Sequence, residues 1–344
     1  IDKLCEKIKE TGNPSVIGLD TAADYLPDYE KYKDRYALAE GVTEFNLRII
    51  DRIKSVVPAV KVQIAYYEAM GLPGMKSFAD TCKAAHDAGM IVIADAKRND
   101  IGATAKQYAE AFFGGGDFYC DFLTVNGYLG TDGISPFMKS EDKGIFVLVK
   151  TSNPSGVELQ DMKLAGGNAV YEQMAELVGK WGESCIGESG MSNVGAVVGA
   201  TYPEQAVRLR EMLPHTFFLV PGYGAQGGGA DGAVAGFDAA GGGGIVNSSR
   251  GIICAYKQEK YKGMSFDEAA YAACVDMRED LAAALARKTV CRKEPQKSRQ
   301  TNHGPTARIC SPSLPPKISP SVRQGSSPWS KYRSEIASCV VLSA

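Results

Sequence analysis

Short apolar runs recur along the chain at a spacing that favours strands alternating with helices. Eight runs rich in Val, Ile and Leu are bounded by Gly, Pro, Asn or Asp, as in buried strands of a parallel sheet; they lie at 16–20, 59–64, 90–95, 122–126, 145–150, 195–201, 217–220 and 244–248. Segments of helical character separate most of them, at 38–55, 75–88, 104–113, 169–181 and 204–212. This alternation predicts a closed (β/α)8 barrel. An open doubly wound sheet is the structural alternative, but no GxGxxG follows the first strand.

The last part of the chain differs from the barrel in composition. Residues 266–288 predict a closing helix with Ser265 as its N-cap. Beyond it the sequence is rich in Pro, Ser and basic residues and has little apolar periodicity. We therefore expect a single-domain barrel over 1–290 and a disordered tail over 291–344. Three interpretations of the tail stay open: a solvated segment, a partner-binding arm, or an extension that contributes nothing to the barrel.

Charge and cysteine content narrow the class of protein. The net charge is −2, but residues 292–344 carry nine Lys or Arg against two acids, which leaves the preceding residues at −9. So acidic a body does not indicate a nucleic-acid-binding surface. The nine cysteines include no CxxC pair, no apolar run approaches the roughly 18 residues of a membrane span, and the N-terminal segment is amphipathic rather than signal-like. We expect a cytoplasmic protein with reduced thiols.

Charged residues gather where the third predicted strand ends, in IVIADAKRNDIGAT. Alternation along a strand puts Asp95 and Lys97 on one face, and Asp100 falls at the start of the following helix. If that face points into the barrel mouth, a carboxylate and an ammonium stand together where active sites of this fold lie. The alternative is that Asp100 is only an N-cap and Lys97 a surface charge.

Two further charges favour the active-site interpretation. Lys61 interrupts an apolar run that should be a buried strand, and a buried lysine needs a paired acid to keep its charge. Asp20 stands at the tip of the first strand, in VIGLD. Because sequential strands are neighbours in a barrel, acid, base, acid and base should follow one another around the mouth.

These elements resemble those of the orotidine 5′-phosphate decarboxylases. Asp95, Lys97 and Asp100 match the DxKxxD motif of that family, and GLD, the Lys of the second strand and an FYE-like sequence at 65–68 match its companion elements. DxKxxD alone is only moderately specific, whereas four elements in the right strand order are much more so. The resemblance covers about residues 1–290 and implies conversion of orotidine 5′-monophosphate (OMP) to UMP and carbon dioxide, the last step of pyrimidine nucleotide biosynthesis, without a metal or cofactor.

The resemblance also implies a role for each charged residue. Lys97 would be the proton donor, Asp95 would face the scissile carboxylate, Lys61 would hold the network and contact the ribose, and Asp20 would bind ribose hydroxyls. In the family the second Asp of the motif and a Thr four residues on reach into the neighbouring subunit's site. The matching residues are Asp100 and Thr104, which implies a homodimer.

The loops after the seventh and eighth strands predict a phosphate site. The seventh strand leads into VPGYGAQGGG and the eighth into IVNSSRG. Backbone N–H groups that Gly exposes bind phosphate in this fold, and Arg250 can add a permanently charged clamp. By resemblance, Gln226 bridges the phosphate and pyrimidine ends and Ser152 reads the base. Without the resemblance, Ser152 would be interpreted as part of a simple turn.

The sequence departs from the family pattern at two places. The sequence has Thr21 after GLD, and Val62 and Gln63 after the second-strand Lys, where many relatives have Pro and Pro-Asn. These differences leave the pose of Lys61 open but remove no charge.

Two alternative functions stay open. The enzyme alternative is a magnesium-dependent sugar-phosphate decarboxylase or hexulose-phosphate synthase of the same superfamily, and the non-enzyme alternative is a nucleotide-binding barrel without activity.

Overall fold

The strands close into a barrel in chain order, which confirms the predicted (β/α)8 fold. A computed structural model describes residues 1–224 and 227–293, all within one unit that spans Ile1–Pro295. Every strand is parallel to its sequential neighbour, and the last strand pairs with the first. The strands are β1 Ser15–Gly18, β2 Ala59–Gln63, β3 Ile91–Arg98, β4 Phe122–Val125, β5 Gly144–Lys150, β6 Ser192–Val198, β7 Thr216–Val220 and β8 Gly244–Ser248.

Long helices pack outside the barrel, and short ones lie in the loops that follow the strands. Each of the five helical segments expected between strands overlaps an observed long helix, with ends that differ by a few residues. In chain order the helices are α1 Asp2–Thr11, α2 Arg35–Ile53, α3 Ile64–Glu68, α4 Leu72–Asp87, α5 Gly102–Phe113, α6 Thr131–Ile134, α7 Val157–Gln160, α8 Val170–Gly182, α9 Pro203–Met212, α10 Ala230–Ala233, α11 Arg250–Ile253 and α12 Phe266–Lys293. No helix in the described part of the chain is both long and apolar enough to cross a membrane.

The last helix begins where the sequence predicts. The backbone N–H of Ser265 donates to the Glu268 carboxylate at 3.0 Å, and the Ser265 hydroxyl lies 3.4 Å from the Glu268 nitrogen. This reciprocal pair satisfies N–H groups that the first helical turn leaves free. The helix continues to Lys293, a few residues beyond the expected limit of the barrel. The expected tail beyond Lys293 lies outside the described residues.

The N-terminal end of the barrel is closed, so the opposite rim is left for a site. Leu4 of α1 is fully buried against inward-facing side chains of the barrel, among them Val16, Phe122 and Phe217. At the same end, the guanidinium of Arg210 donates hydrogen bonds of 2.7 to 2.8 Å to backbone carbonyls that include those of Leu213, Thr216, Gly236 and Gly243. These contacts stabilise the loops that lead into β7 and β8.

Candidate active site

Strand register brings the charged residues of the first three strands to one rim. Gly18 of β1 pairs with Lys61 of β2, and Gln63 of β2 pairs with Asp95 of β3. The carboxyl ends of these strands therefore lie side by side. The Cβ of any other residue at position 18 would collide with the Ser249 side chain. Glycine at this position lets the loop after β8 approach Asp20 closely.

Four side chains form one continuous chain of opposite charges, called here the charge chain: Asp20, Lys61, Asp95 and Lys97. The Lys61 ammonium donates to the Asp95 carboxylate at 2.8 Å and to the Asp20 carboxylate at 3.3 Å. The Lys97 ammonium donates to the other oxygen of Asp95 at 2.6 Å. The structure thus has the order acid, base, acid, base that the sequence suggests.

Because the charge chain is largely buried, the ionisation of each of its residues depends on the others. Burial alone would lower the pKa of Lys61, whose side chain is 5% exposed, but Asp20 and Asp95 raise that pKa above its ordinary value. Burial would likewise raise the pKa of Asp95, but Lys61 and Lys97 lower it well below its ordinary value. Both groups are therefore ionised at neutral pH. Each charge persists because the neighbouring opposite charges are present.

Two hydroxyl groups that the sequence analysis missed complete the network. Thr124 of β4 donates to Asp95 at 2.9 Å, and its oxygen accepts the backbone N–H of Lys97 at 2.9 Å. Ser249 donates to Asp20 at 2.8 Å. Thr124 could have been identified in the same way as Lys61, because it too is a polar residue inside an apolar strand. No comparable signal distinguished Ser249 from its neighbour Ser248.

Lys97 has a strained backbone. Its φ is 46°, and Asp28 is the one other non-glycine residue in the described ranges with positive φ. The left-handed conformation costs an L-residue about 1–2 kcal/mol. The pairing of β3 with β4 also shifts register between Ala94 and Arg98. The strand is irregular at this point, so the regular alternation of side chains along a strand does not explain why Lys97 points toward Asp95.

The charge chain lines a cavity of about 470 Å³ at the carboxyl ends of the strands. The cavity has a polar side formed by β1 to β4 and an apolar side formed by Leu148, Val197 and Leu219 of β5 to β7. Ser152 and Arg250 also line it. A molecule with a charged end and a flat apolar face fits such a division. The described residues contain no cluster of three or more His, Cys, Asp or Glu side chains able to hold a metal ion.

Two predicted site residues within the described ranges are not among those that line this cavity. Asp100 is half-buried, and its carboxylate accepts the backbone N–H of Ile101 at 2.8 Å. Thr104 is exposed on the first turn of α5. Gln226 lies outside the described residues.

Several known proteins with similar sequences are described as orotidine 5′-phosphate decarboxylases. Residues 16–264 match the family model described as "Orotidine 5'-phosphate decarboxylase / HUMPS family". The chain is 44% identical over 295 residues to orotidine 5′-phosphate decarboxylase of Rhodopirellula baltica, covering 81% of this chain and 97% of that protein. It is 42% identical over 288 residues to the same enzyme of Clostridium acetobutylicum, covering 83% and 99%.

Solved structures agree with the sequence comparison. A crystal structure from Toxoplasma gondii, described as an orotidine-monophosphate decarboxylase, superposes with a TM-score of 0.73 at 30% identity and covers 84% of this chain and 98% of its own. A structure from Streptomyces avermitilis with a similar description has a TM-score of 0.71 at 30% identity, with coverage of 83% and 95%.

Replacing the central ammonium tests how the charge chain is held together. Lys61→Met leaves two partly buried carboxylates without their shared cation, so we expect a loss of about 3 kcal/mol in the free energy of unfolding at pH 7. In the wild type, the depressed pKa of Asp95 contributes stability above the ordinary Asp pKa of about 3.9, and that contribution is lost as pH falls through the lower folded value. Without Lys61, burial raises the pKa of Asp95 in the variant, so this carboxylate takes up a proton as pH falls toward 4 and the deficit of the variant should be smaller there.

Urea unfolding at both pH values measures this difference. Lys76→Met is the matched control, because Lys76 forms an exposed pair with Asp80 at 2.5 Å and its replacement should change stability little. A Lys61→Met deficit that is equal at the two pH values would contradict the mutual dependence of these charges.

Proposed function

The chain belongs to the orotidine 5′-phosphate decarboxylase / HUMPS family and decarboxylates OMP, and we propose that the charge chain carries the chemistry. This activity makes the protein a carbon–carbon lyase that yields UMP and carbon dioxide. The observation behind the mechanism is that Lys97 and Lys61 both contact Asp95 at the edge of a cavity large enough for a nucleotide. No step of the proposed mechanism requires a metal or a cofactor.

The chemical problem is a carbanion at C6 of the pyrimidine. When the bond between C6 and the carboxylate breaks, its electron pair stays on C6, and no adjacent group can delocalise it. The Lys97 ammonium is a cation already in place to stabilise this charge and then to protonate C6. Because the Lys97 side chain is 47% exposed, solvent can return the proton after turnover.

Asp95 makes a smaller contribution than the cations. Repulsion between two like charges at about 4 Å gives roughly 4 kcal/mol at an effective dielectric of 20. Enzymatic rate enhancements reach about 10^17, or roughly 23 kcal/mol. Repulsion of the substrate carboxylate therefore cannot be the main source of catalysis. The role of Asp95 that the geometry favours is to hold Lys61 and Lys97 in fixed positions.

The remaining cavity wall fits the other parts of the substrate. Asp20 and Lys61 are placed to contact the ribose, and Ser152 the pyrimidine, whose flat face would pack on the apolar side of the cavity. Arg250 is exposed and lines the same cavity. Its guanidinium can bind the phosphate as a bidentate clamp, together with the Gly-rich loops and Gln226. Phosphate binding away from the reacting carbon would hold the substrate against Asp95.

We also propose that the protein works as a homodimer in the cytoplasm. Asp100 and Thr104 would then complete the site of the neighbouring subunit. Close to Asp100 the surface has large exposed apolar side chains, which typically mark contact surfaces: Ile101 is 53% exposed, Tyr128 77% and Leu129 44%. The free cysteines of the described ranges fit a reducing compartment.

Replacing the proposed proton donor is the sharpest test of the mechanism. We expect Lys97→Ala to lower kcat for OMP by at least about 10^3, in line with the loss of a general acid and a fixed charge. Spectroscopic assay of OMP consumption with EDTA present measures it. Wild-type turnover should be unaffected by EDTA, and Lys76→Ala is the surface control.

Other outcomes of that assay identify the competing functions. Near-normal turnover by Lys97→Ala would contradict the donor assignment. Loss of wild-type activity with EDTA would favour a magnesium-dependent sugar-phosphate enzyme, and absence of OMP turnover would favour a non-catalytic nucleotide-binding barrel.

Mixing two inactive variants tests the shared site. Lys97→Ala removes the donor from its own site but can supply Asp100 to its partner, whereas Asp100→Ala does the reverse. Random reassortment of these subunits should restore about one quarter of wild-type activity, because half of the dimers would have one intact site. Measured activity that stays at the sum of the two parents after subunit exchange would contradict a shared site.

A further inference from the structure

A second buried lysine lies behind the cavity wall. Lys150, the last residue of β5, is completely buried and does not line the cavity. Its ammonium donates to the Asp161 carboxylate at 2.6 Å and lies 4.3 Å from the centre of the Tyr202 ring. This pair has no role in the proposed mechanism.

The ion pair closes the segment 151–161 back onto the end of its own strand. Asp161 directly follows α7, so its bond to Lys150 joins the two ends of the segment. Next to it, Gln160 accepts the backbone N–H of Thr151 at 3.1 Å and donates to the Thr151 hydroxyl at 2.7 Å. Three side-chain contacts therefore fix the start of the segment to its end.

Ser152 lies at the beginning of this closed segment. Thr151, Ser152 and Asn153 line the cavity, and the Ser152 carbonyl accepts the Thr201 hydroxyl at 3.2 Å. In the same loop after β6, a Cβ at Gly199 would lie 2.8 Å from the Ser152 nitrogen, so this loop packs directly against the Ser152 backbone. Ser152 is thus held from outside the segment by the β6 loop and from within by the Lys150–Asp161 pair.

We propose that Lys150 and Asp161 are positioning residues for pyrimidine recognition. They hold the backbone around Ser152 at the distance from the apolar cavity wall that a pyrimidine needs. This inference rests on the proposed role of Ser152 as the residue that reads the base. The Lys150–Asp161 pair does not position the groups proposed to contact the ribose and the phosphate, because those groups come from other strands.

An effect on base recognition can be separated from an effect on stability. A buried ion pair recovers its desolvation cost only in part, and apolar replacements of such pairs are often tolerated. Lys150→Met removes the buried charge and leaves Asp161, whose side chain is 36% exposed, accessible to water. Asp161→Asn keeps an amide oxygen that can accept from the buried Lys150 ammonium. If the pair acts by positioning, ligands with a base should lose affinity and ligands without one should not.

The test compares UMP with ribose 5-phosphate by titration calorimetry of the full-length protein. We expect Lys150→Met and Asp161→Asn each to weaken UMP binding about tenfold, as for loss of one well-aligned hydrogen bond. Binding of ribose 5-phosphate should change less than about twofold, because this ligand has no base and so loses no hydrogen bond to Ser152. For OMP turnover, KM should rise with the loss of UMP affinity. The matched control is Lys163→Met, because Lys163 lies near the same segment but is 67% exposed.

Each outcome bears on the proposal. Equal losses for the two ligands, or unchanged UMP binding by folded Asp161→Asn, would overturn it. If either variant does not fold, the other still decides the question. Because calorimetry does not require turnover, failure of wild-type protein to consume OMP would count against the proposed function and not against this inference.

Discussion

The structure of the site depends on one buried ammonium with a carboxylate on each side. Lys61 is almost completely buried, and its charge is kept because Asp20 and Asp95 lie within hydrogen-bonding distance. Lys61 and Asp95 lie in β2 and β3 and Asp20 follows the end of β1, so the arrangement exists only if these three strands are parallel, adjacent and in this register. Closure of the barrel provides that order. The fold and the chemistry therefore depend on the same strand pairing.

The two ends of the barrel serve different purposes. At the N-terminal end, α1 covers the barrel and Arg210 is bound to backbone carbonyls, contacts that contribute stability. At the carboxyl end, Lys97 has a left-handed backbone and the cavity wall carries concentrated charge. Strain and charge at one end require a well-packed remainder, a division that is general in (β/α)8 enzymes.

The sequence predicts the barrel and most of the charge chain for a clear physical reason. Buried parallel strands are apolar runs, and a Lys or Asp within such a run stands out because burying a charge is costly. Lys61 and Asp95 were identifiable in this way.

Residues whose position depends on tertiary contacts were not predictable from pattern. Ser249 reaches Asp20 only because Gly18 allows a close approach from the opposite end of the chain. Lys150 looked like an ordinary strand end, and its partner Asp161 follows a short helix in a loop whose path the sequence does not specify. The conformation of Lys97 reflects a register shift between β3 and β4 that no propensity indicates.

In the proposed active site, Asp95 stays ionised because the ammonium groups of Lys61 and Lys97 both contact its carboxylate. Its side-chain carboxyl carbon can be followed by ¹³C NMR in ¹³C-Asp-labelled protein from neutral pH down to the onset of acid unfolding, with Asp95→Asn identifying the resonance. We predict no titration step at the ordinary Asp pKa of about 3.9 while the protein is folded. A step at or above that value in the folded protein would contradict the account.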